Sequence, residues 1–174
     1  LLVTVRPGTK LEYWTGSGWA GGRLFIHSAK SGPAEERGTW RQVHTSLKLS
    51  AAGTPGGRAS YGIRFRWAKS YDELRSVLYE AGLFDVRVVP GMTVPDDLAA
   101  RFSLHTRARI ERIEAEFPGQ TVLRPLGRPV PGHFVYEVRF RHLGENRLTV
   151  VHNGGRRTYL EFFVTEPLET LVKK

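Results

Sequence analysis

The stretch "EYWTGSGWAGGRLFIHSAK", Glu12 to Lys30, decides between two quite different folds. Gly16, Gly18 and Gly21 spell G-x-G-x-x-G, the glycine spacing of a dinucleotide cradle. Such a cradle needs a strand running in and a helix running out, because the helix N-terminus and the glycine N–H groups receive the phosphate. Here "RLFIH" follows the glycines, and its apolar, β-branched and aromatic residues read as a strand. The stretch therefore predicts a hairpin turning at "TGSG", with Tyr13, Trp14 and Trp19 around the turn. A nucleotide site is excluded by its own context.

Working outward, strand-like segments recur at Leu2–Val5, Lys10–Trp14, Arg23–His27, Trp40–Ser50 and Ser60–Ala68, separated by "SGPAEERG" and "AAGTPGG". The period then changes. In "SYDELRSVLYEAG", Leu74, Val77, Leu78 and Ala81 fall at i, i+3, i+4 and i+7, one apolar stripe of a helix over 70–81. Ser70 suits its N-cap, Asp72 and Glu73 the positive end of its dipole, and Gly82 the C′ position. A strand, "LFDVRVV", comes next, and "PGMTVPDD" reads as a linker. From Leu98 to Thr165 six strand-like segments follow with no helix between them, the pattern of a small antiparallel sandwich of immunoglobulin-like type. In the closing "TEPLETLVKK", Thr165 reads as the cap of a short helix with proline in its first turn. The expected fold is mostly β, antiparallel sandwiches with one short helix. Residues 1–92 form a β-sandwich segment, 93–165 an immunoglobulin-like sandwich, and 166–174 the start of a linker helix.

Composition narrows the function. Cysteine is absent, which removes disulfides and thiol chemistry. No run approaches the roughly 18 apolar residues of a membrane span, and "LLVTVRPGTK" lacks the ordered regions of a signal peptide. That start, and the end at "EPLETLVKK", read as a segment of a longer chain. The net charge of +9 is spread along the sequence, and arginines such as Arg64, Arg66, Arg139 and Arg141 alternate with apolar residues, which predicts a solvated sheet face. A nucleic-acid surface needs a clustered stripe and a recognisable module. Neither is visible in the sequence.

Catalytic chemistry finds little support. The six histidines show no H-E-x-x-H spacing, and neither G-x-S-x-G nor a phosphate-binding loop occurs. Asp96-Asp97 and Glu35-Glu36 sit in turn-like segments, and Asp72 and Glu73 have a helix-start role. No catalytic residue, cofactor or metal site is therefore assigned. The aromatics remain. Alternation in "WRQVHTSLKL" puts Trp40 and His44 on the polar side of a strand, where an indole suits a sugar ring or a neighbouring domain. Trp67 aligns with Tyr61, Ile63 and Phe65 and reads as core. Trp14 and Trp19 can meet across the hairpin and read as core or interdomain packing, with a ligand platform as the alternative. On that alternative Trp40, Trp19, Trp14, Tyr13 and His44 are the candidate ligand-contact residues.

Two longer stretches carry more than composition: "VVPGMTVPDDLAARFSLHT" and "LGENRLTVVHNGGRRTYLEFFVTEPLETLVKK". They resemble a bacterial family of large glycoside-hydrolase-like chains bearing a domain of unknown function. In that family, similar stretches lie between an N-terminal β-supersandwich and a helical six-hairpin toroid. The resemblance covers roughly residues 74 to 174 and transfers no site residue. It implies a non-catalytic β segment, with neighbouring domains of a longer chain and a polysaccharide or oligosaccharide as partners, and a secreted or cell-surface setting. The alternatives are a structural spacer without a ligand and, against the charge pattern, a basic nucleic-acid binder.

Overall fold

The computed structural model describes residues 1–6, 11–15, 23–26 and 60–173. The chain divides into two compact units, Leu1–Ala68 and Lys69–Lys174.

In the first unit β1 (Leu2–Val5) pairs antiparallel with β4 (Ile63–Arg66). β2 (Leu11–Thr15) pairs antiparallel with β3 (Arg23–Ile26), placing Trp14 opposite Leu24 and Tyr13 opposite Phe25. A strand, Arg23–Ile26, therefore follows the glycine-rich stretch, as the composition of "RLFIH" predicts. Trp67 departs from expectation. Its side chain is 81% exposed, and Phe65 and Tyr61 are exposed too. Alternation along β4 gives these residues a shared direction, but β1 and β4 form a two-stranded sheet among the described residues. A two-stranded ribbon by itself is too small to bury them.

The second unit opens with α1 (Tyr71–Glu80). The Ser70 hydroxyl accepts a hydrogen bond from the Glu73 N–H at 3.1 Å, the N-cap that the sequence predicts. At the other end Gly82 has φ +68°, the Gly82 N–H donates to Tyr79 O, and the Leu83 N–H donates to Leu78 O. This pair of bonds is a Schellman stop, which glycine's freedom at positive φ permits. Leu74, Val77 and Leu78 are half-buried, whereas Ala81 is exposed.

Eight strands follow: β5 (Asp85–Val89), β6 (Thr93–Pro95), β7 (Ala100–His105), β8 (Ile110–Ala115), β9 (Thr121–Gly127), β10 (His133–Phe140), β11 (Gly144–His152) and β12 (Arg156–Thr165). They form two four-stranded sheets, β5-β7-β10-β9 and β6-β12-β11-β8. All pairings are antiparallel except β6 with β12, which is parallel. The six strands read between Leu98 and Thr165 are all present. β6 lies inside the segment whose turn chemistry reads as a linker, and α1 and β5, which pairs with β7, lie in the unit that begins at Lys69. Thr165 ends β12 and does not cap the last helix, α2 (Leu168–Lys173), which starts after Pro167.

Alternation along the strands builds the core. Ala100, Phe102 and Leu104 of β7 and Val138 and Phe140 of β10 meet Leu148 and Val150 of β11 and Leu160, Phe162 and Val164 of β12, all buried. Phe162 ties the two sheets together, with ring centroids 5.0 Å from Phe140 and 6.3 Å from Phe102. Among the described residues, no helix is long and apolar enough to cross a membrane.

Candidate ligand-contact face

Because Phe102 and Leu104 point into the core, their neighbours Arg101, Ser103 and His105 must point to the other side of the β5-β7-β10-β9 sheet. Strand register then assembles rows across that outer face. One row runs Val89, Arg101, Glu137, Arg124 over all four strands. On one side of it lies the pair Arg139 and Val122. On the other come Arg87, Ser103 and Val135, and beyond them Asp85, His105 and His133.

The β9–β10 side of the face holds a depression of roughly 270 Å³ lined by Val122, Arg124, Glu137, Arg139 and Arg141. The Arg101 Nε donates to the Glu137 Oε2 at 3.1 Å. Arg124, Arg139 and Arg141 are exposed and form no ion pair among the described residues. Arg139 and Arg141 are thus solvated, as their alternation predicts. The fold adds Arg124 and Arg101 beside them, which no sequence spacing announces.

At the end of the same face stands a column of rings. His105 stacks on His133 with centroids 3.9 Å apart, and Tyr79 of α1 stacks on the other side of His105 at 4.3 Å. The Arg107 guanidinium lies 5.6 Å from the Tyr79 ring centroid. Gly132, at φ +79°, gives Tyr79 its room: a Cβ there would meet the Tyr79 Cε2 at 2.7 Å. Burial pushes the His105 imidazole below its ordinary pKa, and the nearby His133 and Arg87 charges act in the same direction while Asp85 opposes them. Stacked rings point their nitrogen lone pairs outward in parallel planes, so the two imidazoles do not converge on one ion. Among the described residues no group of three or more metal-ligating side chains comes together.

The residues singled out from the sequence lie in the first unit. Trp40, Trp19 and His44 are outside the described residues. Tyr13 and Trp14 occupy consecutive positions of β2, opposite Phe25 and Leu24. The arginine rows and the histidine column escaped the sequence reading because their members come from strands far apart in the chain.

Comparison with known proteins adds a family. The profile of a family of unknown function, DUF5695, matches residues 32–174. No curated protein matches the chain. Among solved structures, a polysaccharide lyase aligns with a TM-score of 0.42 and 21% identity, over 59% of this chain and 15% of that protein. The chain therefore spans a small part of that protein's length.

Proposed function

The chain belongs to DUF5695, a family of unknown function, and we propose that it is a non-catalytic β module that contacts polysaccharide on behalf of a carbohydrate-active protein. The outer face of the β5-β7-β10-β9 sheet carries this reading. It sets exposed guanidinium donors beside a carboxylate acceptor over a shallow depression. At roughly 270 Å³ that depression falls below the usual ~300–1,000 Å³ of a small-molecule pocket. It suits a polymer lying across a surface better than a ligand enclosed by one. The same role favours a secreted or cell-surface setting, where polysaccharide is met.

The strand order supports an immunoglobulin-like reading of the second unit. If β5, β6 and β7 to β12 are named A, A′ and B to G, the two sheets become A-B-E-D and A′-G-F-C. The constant-type immunoglobulin sandwich sets ABED against CFG. In the first unit Trp40 and Trp19, with Trp14, Tyr13 and His44 beside them in the proposal, offer rings on which sugar C–H faces can stack. Losing one such platform costs about 1–3 kcal/mol, by analogy with bases stacked on aromatics.

Affinity electrophoresis on a panel of neutral and charged polysaccharides tests the reading. At least one should retard the chain, and Trp40→Ala or Trp19→Ala should weaken that retardation. Should every polysaccharide leave the wild-type chain unretarded, the role becomes that of a ligand-free spacer between domains. The exposed Leu168, Leu171 and Val172 of α2 favour that second reading, since they suit burial against another domain.

A further inference from the structure

We infer that the depression on the β9–β10 side of the β5-β7-β10-β9 face binds an anionic polysaccharide whose charge is carried by uronate carboxylates. The inference rests on the proposal that this module contacts glycan, and it names which glycan.

Charge is the first argument. The rows place Arg87, Arg101, Arg124, Arg139 and Arg141 on one outer face, against Asp85 and Glu137. Two of these arginines already face carboxylates of the protein: Arg101 is bonded to Glu137, and the Arg87 Nε lies 3.8 Å from the Asp85 Oδ2. Arg124, Arg139 and Arg141 are left over, and all three open into the same depression. A neutral polymer would leave this surplus positive charge unanswered.

Geometry is the second. A guanidinium is a planar fork that meets a planar carboxylate through two parallel N–H···O bonds. Three uncommitted forks around one concavity therefore match carboxylates repeated along a chain.

The third argument separates a uronate polymer from a nucleic acid. Glu137 stands among the three arginines, and its Oε1 has no partner among the described residues. A carboxylate there repels any anion, and it disfavours most a backbone with one charge per ~1.7 Å of duplex, less a uronate chain with at most one charge per sugar ring. The same carboxylate accepts hydrogen bonds from sugar hydroxyls, which a uronate chain supplies between its charges. Single-stranded nucleic acids also need aromatic platforms for their bases. The side chains around this depression are arginine, glutamate and valine.

The test uses the full 174-residue chain in affinity electrophoresis on polygalacturonate, on highly methyl-esterified pectin (the same backbone with its charge masked), on dextran sulfate and on single-stranded DNA. Polygalacturonate should retard the chain at physiological salt and the ester should not. The triple variant Arg124→Ala, Arg139→Ala, Arg141→Ala should lose at least tenfold in affinity with its unfolding midpoint unchanged. The corresponding triple lysine variant should recover only part of the loss, because an ammonium keeps the charge without the fork. Retardation by neutral polysaccharides but not by polygalacturonate would overturn the inference and leave the glycan-contact reading intact. Silence on every polysaccharide removes both. Equal retardation by dextran sulfate and DNA, abolished by moderate salt, would overturn it in favour of unspecific polyanion binding.

Discussion

The imidazole of His105 lies face to face on that of His133, with centroids 3.9 Å apart and planes 15° from parallel. Tyr79 covers the outer side of His105, and so joins α1 to the sheet through that imidazole. Two imidazolium ions cannot share that spacing cheaply. The groups around the stack are Tyr79 and Arg107 above it, Asp85 and Arg87 on β5, and His133 on β10.

This stack makes stability depend on pH in a definite direction. The folded pKa of His105 is lowered, first by burial and then by the His133 charge, and that of the buried His152 is lowered by burial and then by Arg156. A depressed histidine means that the unfolded chain takes up the proton first. The full stability is therefore present above the unfolded value of about 6.5 and is lost as pH falls from there through the folded pKa values. Urea midpoints between pH 8 and pH 5 should drop on the acid side. His133→Phe keeps a ring in the stack and removes its charge, so the His105 resonance should titrate higher than in wild type. An unchanged His105 titration in that variant would show that the second imidazole does not act on the first.

Adjacent positions on β12 give a sharper test of register. Phe162 is 2% exposed and touches Phe102 and Phe140, whereas Phe163 is 52% exposed on the other side of the same sheet. Phe162→Ala should cost about 3–5 kcal/mol, the usual penalty for emptying a core aromatic site. Phe163→Ala should stay within about 0.5 kcal/mol, as surface changes do. Chemical denaturation of the two variants checks this, and a reversed order would mean that β12 is paired one residue out of register.

Local signals in this chain were readable, and long-range ones were not. The helix at Tyr71–Glu80 announces itself within thirteen residues, through the Ser70 cap, the Leu74–Val77–Leu78 stripe and the Gly82 stop. Strands β7 to β12 show in the same way, by alternation between turns. β6 is only Thr93–Pro95, set among Pro90, Asp96 and Asp97, and turn chemistry masks it. It is a strand because Phe163 and Val164, some seventy places on, lie alongside it. The same holds for the arginine face: Arg101, Arg124 and Glu137 become one row only once β7, β10 and β9 are in register. Trp67 shows the converse limit. Alternation fixes which side of a strand a residue takes, but not whether anything covers that side.

The last prediction concerns the turn that joins the two sheets between β10 and β11. Asn146 is 1% exposed, and its Nδ2 donates to the His142 carbonyl at 2.7 Å and to the Gly144 carbonyl at 3.1 Å. Two acceptors that would otherwise lose water are thereby paired with one side chain. Asn146→Ala should destabilise by about 1–3 kcal/mol, the penalty for leaving buried polar groups unmet. Asn146→Asp has nearly the same shape but turns a donor into an acceptor facing two carbonyls, so it should cost more than alanine at pH 7. Its carboxyl can restore one bond only by holding a proton. Relative to wild type at each pH, the aspartate variant should therefore recover stability as pH falls, while the alanine deficit stays flat. Parallel pH dependences for the two variants would mean that hydrogen bonding by Asn146 does not hold this turn.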